Sequence, residues 1–164
     1  MNEISFENYL GIKIDNININ NLKPIKNTTL KNTFSISLKS LFKYYNNYIS
    51  HIYFITNENK QVNQILVNLT SLIDKQFYNQ LVFIYGEPDI ISIKDGISHQ
   101  SQKSVNPKNT LNQSVQKTIY NIRVGSFEEK PVHLLWKKES FQIEVFMKYD
   151  RNNSQIIFRK PKNL

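Results

Sequence analysis

The stretch VHLLWKKESFQIEVFMKYDRNNSQIIFR, residues 132–159, decides the fold. Val132, Leu134 and Trp136 alternate with His133, Leu135 and Lys137, and then Phe141, Ile143, Val145, Met147 and Tyr149 alternate with Gln142, Glu144, Phe146 and Lys148. A period of two marks a strand with one covered face, so an antiparallel meander is expected here. Side chains change faces at every residue, and the turns must therefore keep apolar positions opposite apolar positions. A two-residue turn at Glu139-Ser140 does so by setting Trp136 against Ile143 and Leu134 against Val145. A four-residue loop from Asp150 to Asn153 does so again, with Met147 against Ile156 and Val145 against Phe158. The covered face then holds Trp136 with Ile143, Leu134 with Val145 and Phe158, and Val132 with Met147 and Ile156. At about 1.5–3 kcal/mol for each fully buried large side chain, this patch is a major part of the driving force.

The reverse face of the same strands is less ordinary. The register puts Glu144 beside Arg159 and lines up His133, Phe146 and Ile157, with Leu135 next to them. Apolar residues on a face that also carries Lys148, Lys137, Glu144 and Arg159 fit a partner-binding stripe. The candidate contact residues are accordingly His133, Leu135, Phe146, Ile157, Lys148 and Arg159. The competing expectation is that the N-terminal arm or a long loop covers them.

Upstream, residues 71–88 (SLIDKQFYNQLVFIYGEP) read as the principal helix. Ser71 stands where an N-cap is needed and Asp74 three residues on, where the helix dipole favours a carboxylate. Ile73, Phe77, Leu81 and Ile84 share one stripe at the helical period. Gly86 can end the helix in a left-handed conformation, and Pro88 cannot continue it. Val82 and Phe83 lie off the stripe, so either the helix is covered on two sides or Leu81 to Tyr85 is a short strand, and the two end signals favour the helix.

Ser50–Thr56 and Val62–Leu69 read as a hairpin around Asn57-Glu58-Asn59-Lys60. Ile52, Phe54, Ile65, Val67 and Leu69 fall on one face and Tyr53, Ile55, Val62 and Leu66 on the other, so these strands belong near the middle of the sheet. Tyr9, Leu10, Ile12 and Ile14 suggest a first strand, Phe34, Ile36 and Leu38 another, Ile91 and Ile93 a brief one, and Thr118 to Val124 a further one. Residues 96–117 are polar without sustained period and read as a long loop. The fold class expected is α+β: an antiparallel, mostly meander sheet with one helix packed on one face, in a single domain spanning residues 1–164.

The composition bounds the chemistry. The chain has 164 residues, 40% of them hydrophobic, with no alanine and many β-branched and aromatic residues, which leans toward strands. Its 21 Lys and Arg against 13 Asp and Glu give a net charge of +8, which raises nucleic acid as a partner. Only Arg123, Arg151 and Arg159 are arginines, however, and arginine is the better reader of phosphate and base edges. A nonspecific phosphate-backbone footprint would use Lys31, Lys39, Lys43, Arg151, Lys160 and Lys162 if the Phe34 strand lay near the C-terminal one. With no cysteine, disulfides and thiolate metal sites are excluded. The N-terminus lacks the pattern of a signal peptide and no apolar run approaches the ~20 residues of a membrane span, so a soluble, cytoplasmic protein is expected.

No known catalytic motif occurs, and His51, His99 and His133 show no metal-ligand spacing. No cofactor or metal is expected. Glu87, Asp89 and Asp95 could serve as acid and base only if they converged on a cleft. The order of strands, a helix closing on Tyr85-Gly86-Glu87-Pro88, a loop and a meander led by Trp136 resembles many small uncharacterised bacterial proteins over about residues 50–159. Some of those look like immunity or inhibitor proteins, and the resemblance implies binding of a secreted toxin or enzyme. The functional expectation is therefore a non-catalytic protein-binding module. Nucleic-acid binding through the lysine flank is the alternative, and an enzyme acting through the acidic corner comes third.

Overall fold

A computed structural model of the chain describes residues 5–25, 32–36, 43–105 and 113–161. Among these, the strands are β1 (Leu22–Pro24), β2 (Thr33–Ile36), β3 (Lys43–Tyr44), β4 (Asn47–Thr56), β5 (Val62–Leu69), β6 (Ile90–Val105), β7 (Gln113–Val124), β8 (His133–Lys137), β9 (Gln142–Lys148) and β10 (Asn153–Arg159). They form one sheet in the order β1-β2-β4-β5-β10-β9-β8-β6-β7, with β3 on β4, and every pairing is antiparallel. The one α-helix among the described residues, α1 (Lys75–Tyr85), joins β5 to β6 and lies on one face. This is the α+β architecture expected.

The β8–β9 register is the one derived from the alternation: Trp136 faces Ile143 and Leu134 faces Val145. The Lys138 N–H donates to Phe141 O across the turn at 2.9 Å. The β9–β10 register differs by two residues. Met147 faces Ser154, Val145 faces Ile156 and Ile143 faces Phe158. The loop is still four residues long but runs from Tyr149 to Asn152, one residue earlier than expected. Asn152 adopts the left-handed conformation at φ 49°, which asparagine tolerates, and Tyr149 leaves the strand to donate its hydroxyl to Pro131 O at 3.0 Å. Because the loop keeps its even length, the side chains within β9 and β10 stay on their expected faces, and Tyr149 alone leaves the covered one.

The covered face therefore reads in rows across the sheet. Leu134, Val145, Ile156, Val67 and Ile52 form one row, and Trp136, Ile143, Phe158, Ile65 and Phe54 the next. All ten are at most 1% exposed, which makes this the interior. The β4–β5 hairpin is as expected except at Val62. An irregularity between Ile55 and Thr56 sets Val62 opposite Thr56, and Val62 is buried in the core rather than placed on the reverse face.

The helix begins later than its sequence signals suggest. Asp74, not Ser71, is the N-cap, accepting from Phe77 N at 2.8 Å. Ser71 instead donates to Asn47 Oδ1, and the Ile73 N–H donates to Ser154 Oγ, so the segment before the helix is tied to the sheet. The buried stripe is Phe77, Tyr78, Leu81 and Tyr85, whereas Ile84 is exposed. Gly86 ends the helix at φ 76°, and the Trp136 indole N–H donates to its carbonyl at 2.7 Å. That bond fixes the helix end over the centre of the sheet and satisfies the indole's only donor.

Residues 5–17 contain short 3-10 turns, Phe6–Tyr9 and Ile14–Asn16, in place of the expected strand. Phe6 is buried against Tyr44 and Phe158, so this arm packs on the helix side. Leu38 lies outside the described residues. The largest departure is at 96–117: residues 96–105 and 113–117 belong to β6 and β7, which pair into a long ribbon rather than a loop. Residues 96–101 are exposed, and a stretch in which neither face needs to be apolar carries no period.

Burial pushes the phenols of Tyr44, Tyr78, Tyr85 and Tyr149 above their usual value, with nearby Tyr85 adding to the effect at Tyr44, Glu87 at Tyr78 and Glu7 at Tyr85. Above pH ~10 the unfolded chain releases these protons while the folded chain holds them. Stability is thus fully present below that pH and falls as pH rises beyond it. In an ultraviolet titration, the buried Tyr44, Tyr78 and Tyr85 among the nine tyrosines are expected to ionise only as the circular dichroism signal collapses; ionisation of all nine before unfolding would contradict this packing.

Candidate functional site

The face opposite α1 is assembled by the same registers. One row runs Ser92, His133, Phe146, Gln155, Asn68, His51, and the next runs Ile90, Leu135, Glu144, Ile157, Leu66, Tyr53. A third holds Lys137, Gln142, Arg159, Gln64 and Ile55. The two-residue shift separates residues expected side by side. Ile157 faces Glu144 rather than sharing a row with His133 and Phe146, and Arg159 faces Gln142 rather than Glu144. All six candidate contact residues still lie on this one face or at its margin, with Lys148 opposite Asn153 at the end near the β9–β10 loop.

At its centre is a carboxylate held from two sides. Glu144 is 9% exposed. Its Oε1 accepts from Arg159 Nη2 at 2.5 Å, a diagonal pair in place of the expected direct one, and its Oε2 lies 3.2 Å from His133 Nε2. Arg159 Nε also donates to Gln142 Oε1. The His133 ring stacks on Phe146 with centroids 4.7 Å apart, and the Gln155 amide donates to Asn68 Oδ1 at 2.8 Å. A buried carboxylate needs such partners, since an unpaired one would be neutralised or would unfold its surroundings. The network thus lets a polar residue sit among Leu135, Ile157, Phe146 and Leu66, all partly exposed. Pairing of opposite charges was legible from strand alternation; the participation of His133 was not, because it depends on the diagonal reach of side chains between rows.

Among the described residues, neither element expected to cover this face does so. The N-terminal arm packs on the helix side, and residues 96–105 and 113–117 continue the sheet as a ribbon. On that ribbon Val124, Ile122, Tyr120 and Ile97 are 74%, 58%, 39% and 56% exposed. Register places Val124 beside Ser92, and thus at the end of the His133–Phe146 row.

Among the described residues, the other candidates do not converge. Of the basic flank, Lys31, Lys39 and Lys162 lie outside the described residues. Lys43 pairs with Tyr48 and Arg151 sits in the β9–β10 loop, both at one end of the strands. Lys160 lies at the far end against Gly11. The length of β10, roughly 20 Å at ~3.3 Å per residue, separates Arg151 from Lys160. The acidic corner is spent on structure: Glu87 accepts from the Tyr78 hydroxyl, Asp89 accepts from Lys137 N, and Asp95 pairs with Arg123. Among the described residues, no group of three or more His, Asp or Glu is placed to hold a metal. No described helix is long and apolar enough to cross a membrane.

Replacing Glu144 with Gln keeps the shape but removes the charge that Arg159 and His133 face. The substitution is expected to lower unfolding free energy by about 1.5–3 kcal/mol, the range for hydrogen bonds to charged groups, as read by urea denaturation. An unchanged midpoint would mean that the network is solvated. Compared with known proteins, the chain matches no family model, no curated protein and no solved structure.

Proposed function

We propose that this chain is a non-catalytic protein-binding module whose contact surface is the sheet face opposite α1, centred on His133, Phe146, Glu144 and Ile157. One observation carries the reading: the described elements that fold back on the sheet, α1 and the N-terminal arm, both pack on the other face. The reverse face is left with aromatic and aliphatic side chains around the Glu144 carboxylate and its partners Arg159 and His133. An apolar centre with a polar rim is the anatomy of a protein interface. Here the rim carries Lys137, Lys148 and Arg159, which suits a partner whose matching surface is ringed by acids and gives association a dependence on salt.

A narrower version makes the partner a secreted toxin or enzyme and this chain its immunity or inhibitor protein. It is supported by the resemblance carried by Tyr85-Gly86-Glu87-Pro88 and Trp136. The separation of Lys43 and Arg151 from Lys160 gives the nucleic-acid alternative no comparable surface among the described residues.

The test compares immobilised wild type, Phe146→Lys and Lys43→Glu for the proteins each retains. A charge at Phe146 should abolish capture at an unchanged melting temperature, while Lys43→Glu keeps it. Capture that survives Phe146→Lys, or a Phe146→Lys chain that fails to fold, would count against this face as the contact surface.

A further inference from the structure

The two edges of the sheet are unlike. At one end β1 is three residues long and closes on Pro24, which has no N–H to offer. Short strands and proline are the usual means of stopping a sheet from growing. At the other end β7 runs twelve residues, pairs only with β6 among the described strands, and contains neither proline nor an acidic residue. Ile119, Tyr120, Ile122 and Val124 along it are all exposed. Such an edge is a template for another strand.

Its hydrogen-bonding side can be read from one contact. The Gly125 N–H donates to Ile91 O at 3.1 Å, so odd-numbered residues of this strand turn their peptide groups toward β6. Both irregularities in the β6–β7 ladder insert the extra residue on β6, which leaves β7 regular. Thr118, Tyr120, Ile122 and Val124 then direct their N–H and C=O groups outward, the Val124 carbonyl also accepting from Arg123 Nη1 at 3.3 Å.

We infer that the occupant of this edge is a second copy of the chain, with the two β7 strands antiparallel about a two-fold axis at Asn121. In that register Tyr120 of one copy faces Ile122 of the other and Thr118 faces Val124, each an outward-directed, hydrogen-bonded pair. Arg123 faces Ile119 and Lys117 faces Gly125, so no like charges meet. Sliding the axis to Tyr120 would set Lys117 against Arg123, a destabilising cross-strand pair. Arg123 is in addition neutralised within its own chain by Glu129 and Asp95. The contact is the same patch on both copies and therefore closes as a dimer rather than propagating, and the blunted β1 edge offers no route to a fibre. The pairing makes one continuous sheet and brings the Ile97, Tyr120, Ile122 and Val124 patches of two copies together. It stands independently of what the His133–Phe146 face binds.

Light scattering on the full chain at about 0.1 mM, where mass action favours pairing, should give twice the chain mass. Ile122→Pro, which removes only an outward N–H, should give the monomer mass with unchanged circular dichroism. The absence of native cysteine permits a register test that does not depend on that variant folding. Asn121→Cys sets two thiols face to face and should form an intermolecular disulfide roughly ten-fold or more faster than Lys117→Cys, through their raised effective concentration. A monomeric wild type at that concentration overturns the inference and leaves the edge to a strand from a different protein. Equal crosslinking of the two cysteine variants, or a folded Ile122→Pro chain that keeps the dimer mass, overturns it as well.

Discussion

Two reverse turns of even length govern this protein. The turn at Glu139-Ser140 and the loop from Tyr149 to Asn152 return the chain so that alternate residues of β8, β9 and β10 share a side. A strand has no other freedom, because its side chains change faces at every residue. Once Trp136, Ile143 and Phe158 lie on one side, β5 and β4 add Ile65 and Phe54 to the same row, and the helix must cover that side to keep it from water. Trp136 then does two things at once: its ring fills the row, and its N–H holds Gly86 at the helix end. The open face is the complement of this choice and needs no separate cause.

How much of this is legible in the sequence depends on the reach of each signal. Alternation fixes faces, and every assignment in β8, β9 and β10 follows from it. Loop length fixes register only if the loop's position is known, and the polar run Asp150 to Asn153 conceals that Tyr149 belongs to the loop. The helix start is misplaced for a related reason. Ser71 has the chemistry of a cap, but whether it caps or binds Asn47 is decided by the neighbouring strand. The 96–117 tract is the clearest loss. Backbone pairing between β6 and β7 leaves no periodic trace when neither face is packed, so a ribbon and a loop read alike.

The candidate site was legible as a set of residues and not as a geometry. His133, Leu135, Phe146, Ile157, Lys148 and Arg159 share a face as alternation requires. Their neighbours changed because a shift by two residues preserves faces and replaces partners. Glu144, expected only as the mate of Arg159, is instead the centre of a network that includes His133. The exposed apolar residues of β7, read simply as a return to the sheet, become significant only with the knowledge that, among the described strands, β7 is the last and pairs on one side alone.

The division of the sheet into a covered and an open face is most directly measured by thiol accessibility, one cysteine at a time, in this cysteine-free chain. Cysteine is introduced at Val145 and Phe146 on β9 and at Ile156 and Ile157 on β10, neighbours in sequence that lie on opposite sides. In the folded protein, thiols at 146 and 157 should react with a soluble reagent while those at 145 and 156 stay protected until denaturant is added. Equal protection at all four positions would mean that the face around Phe146 and Ile157 is buried, and the account of a single covered side would be wrong.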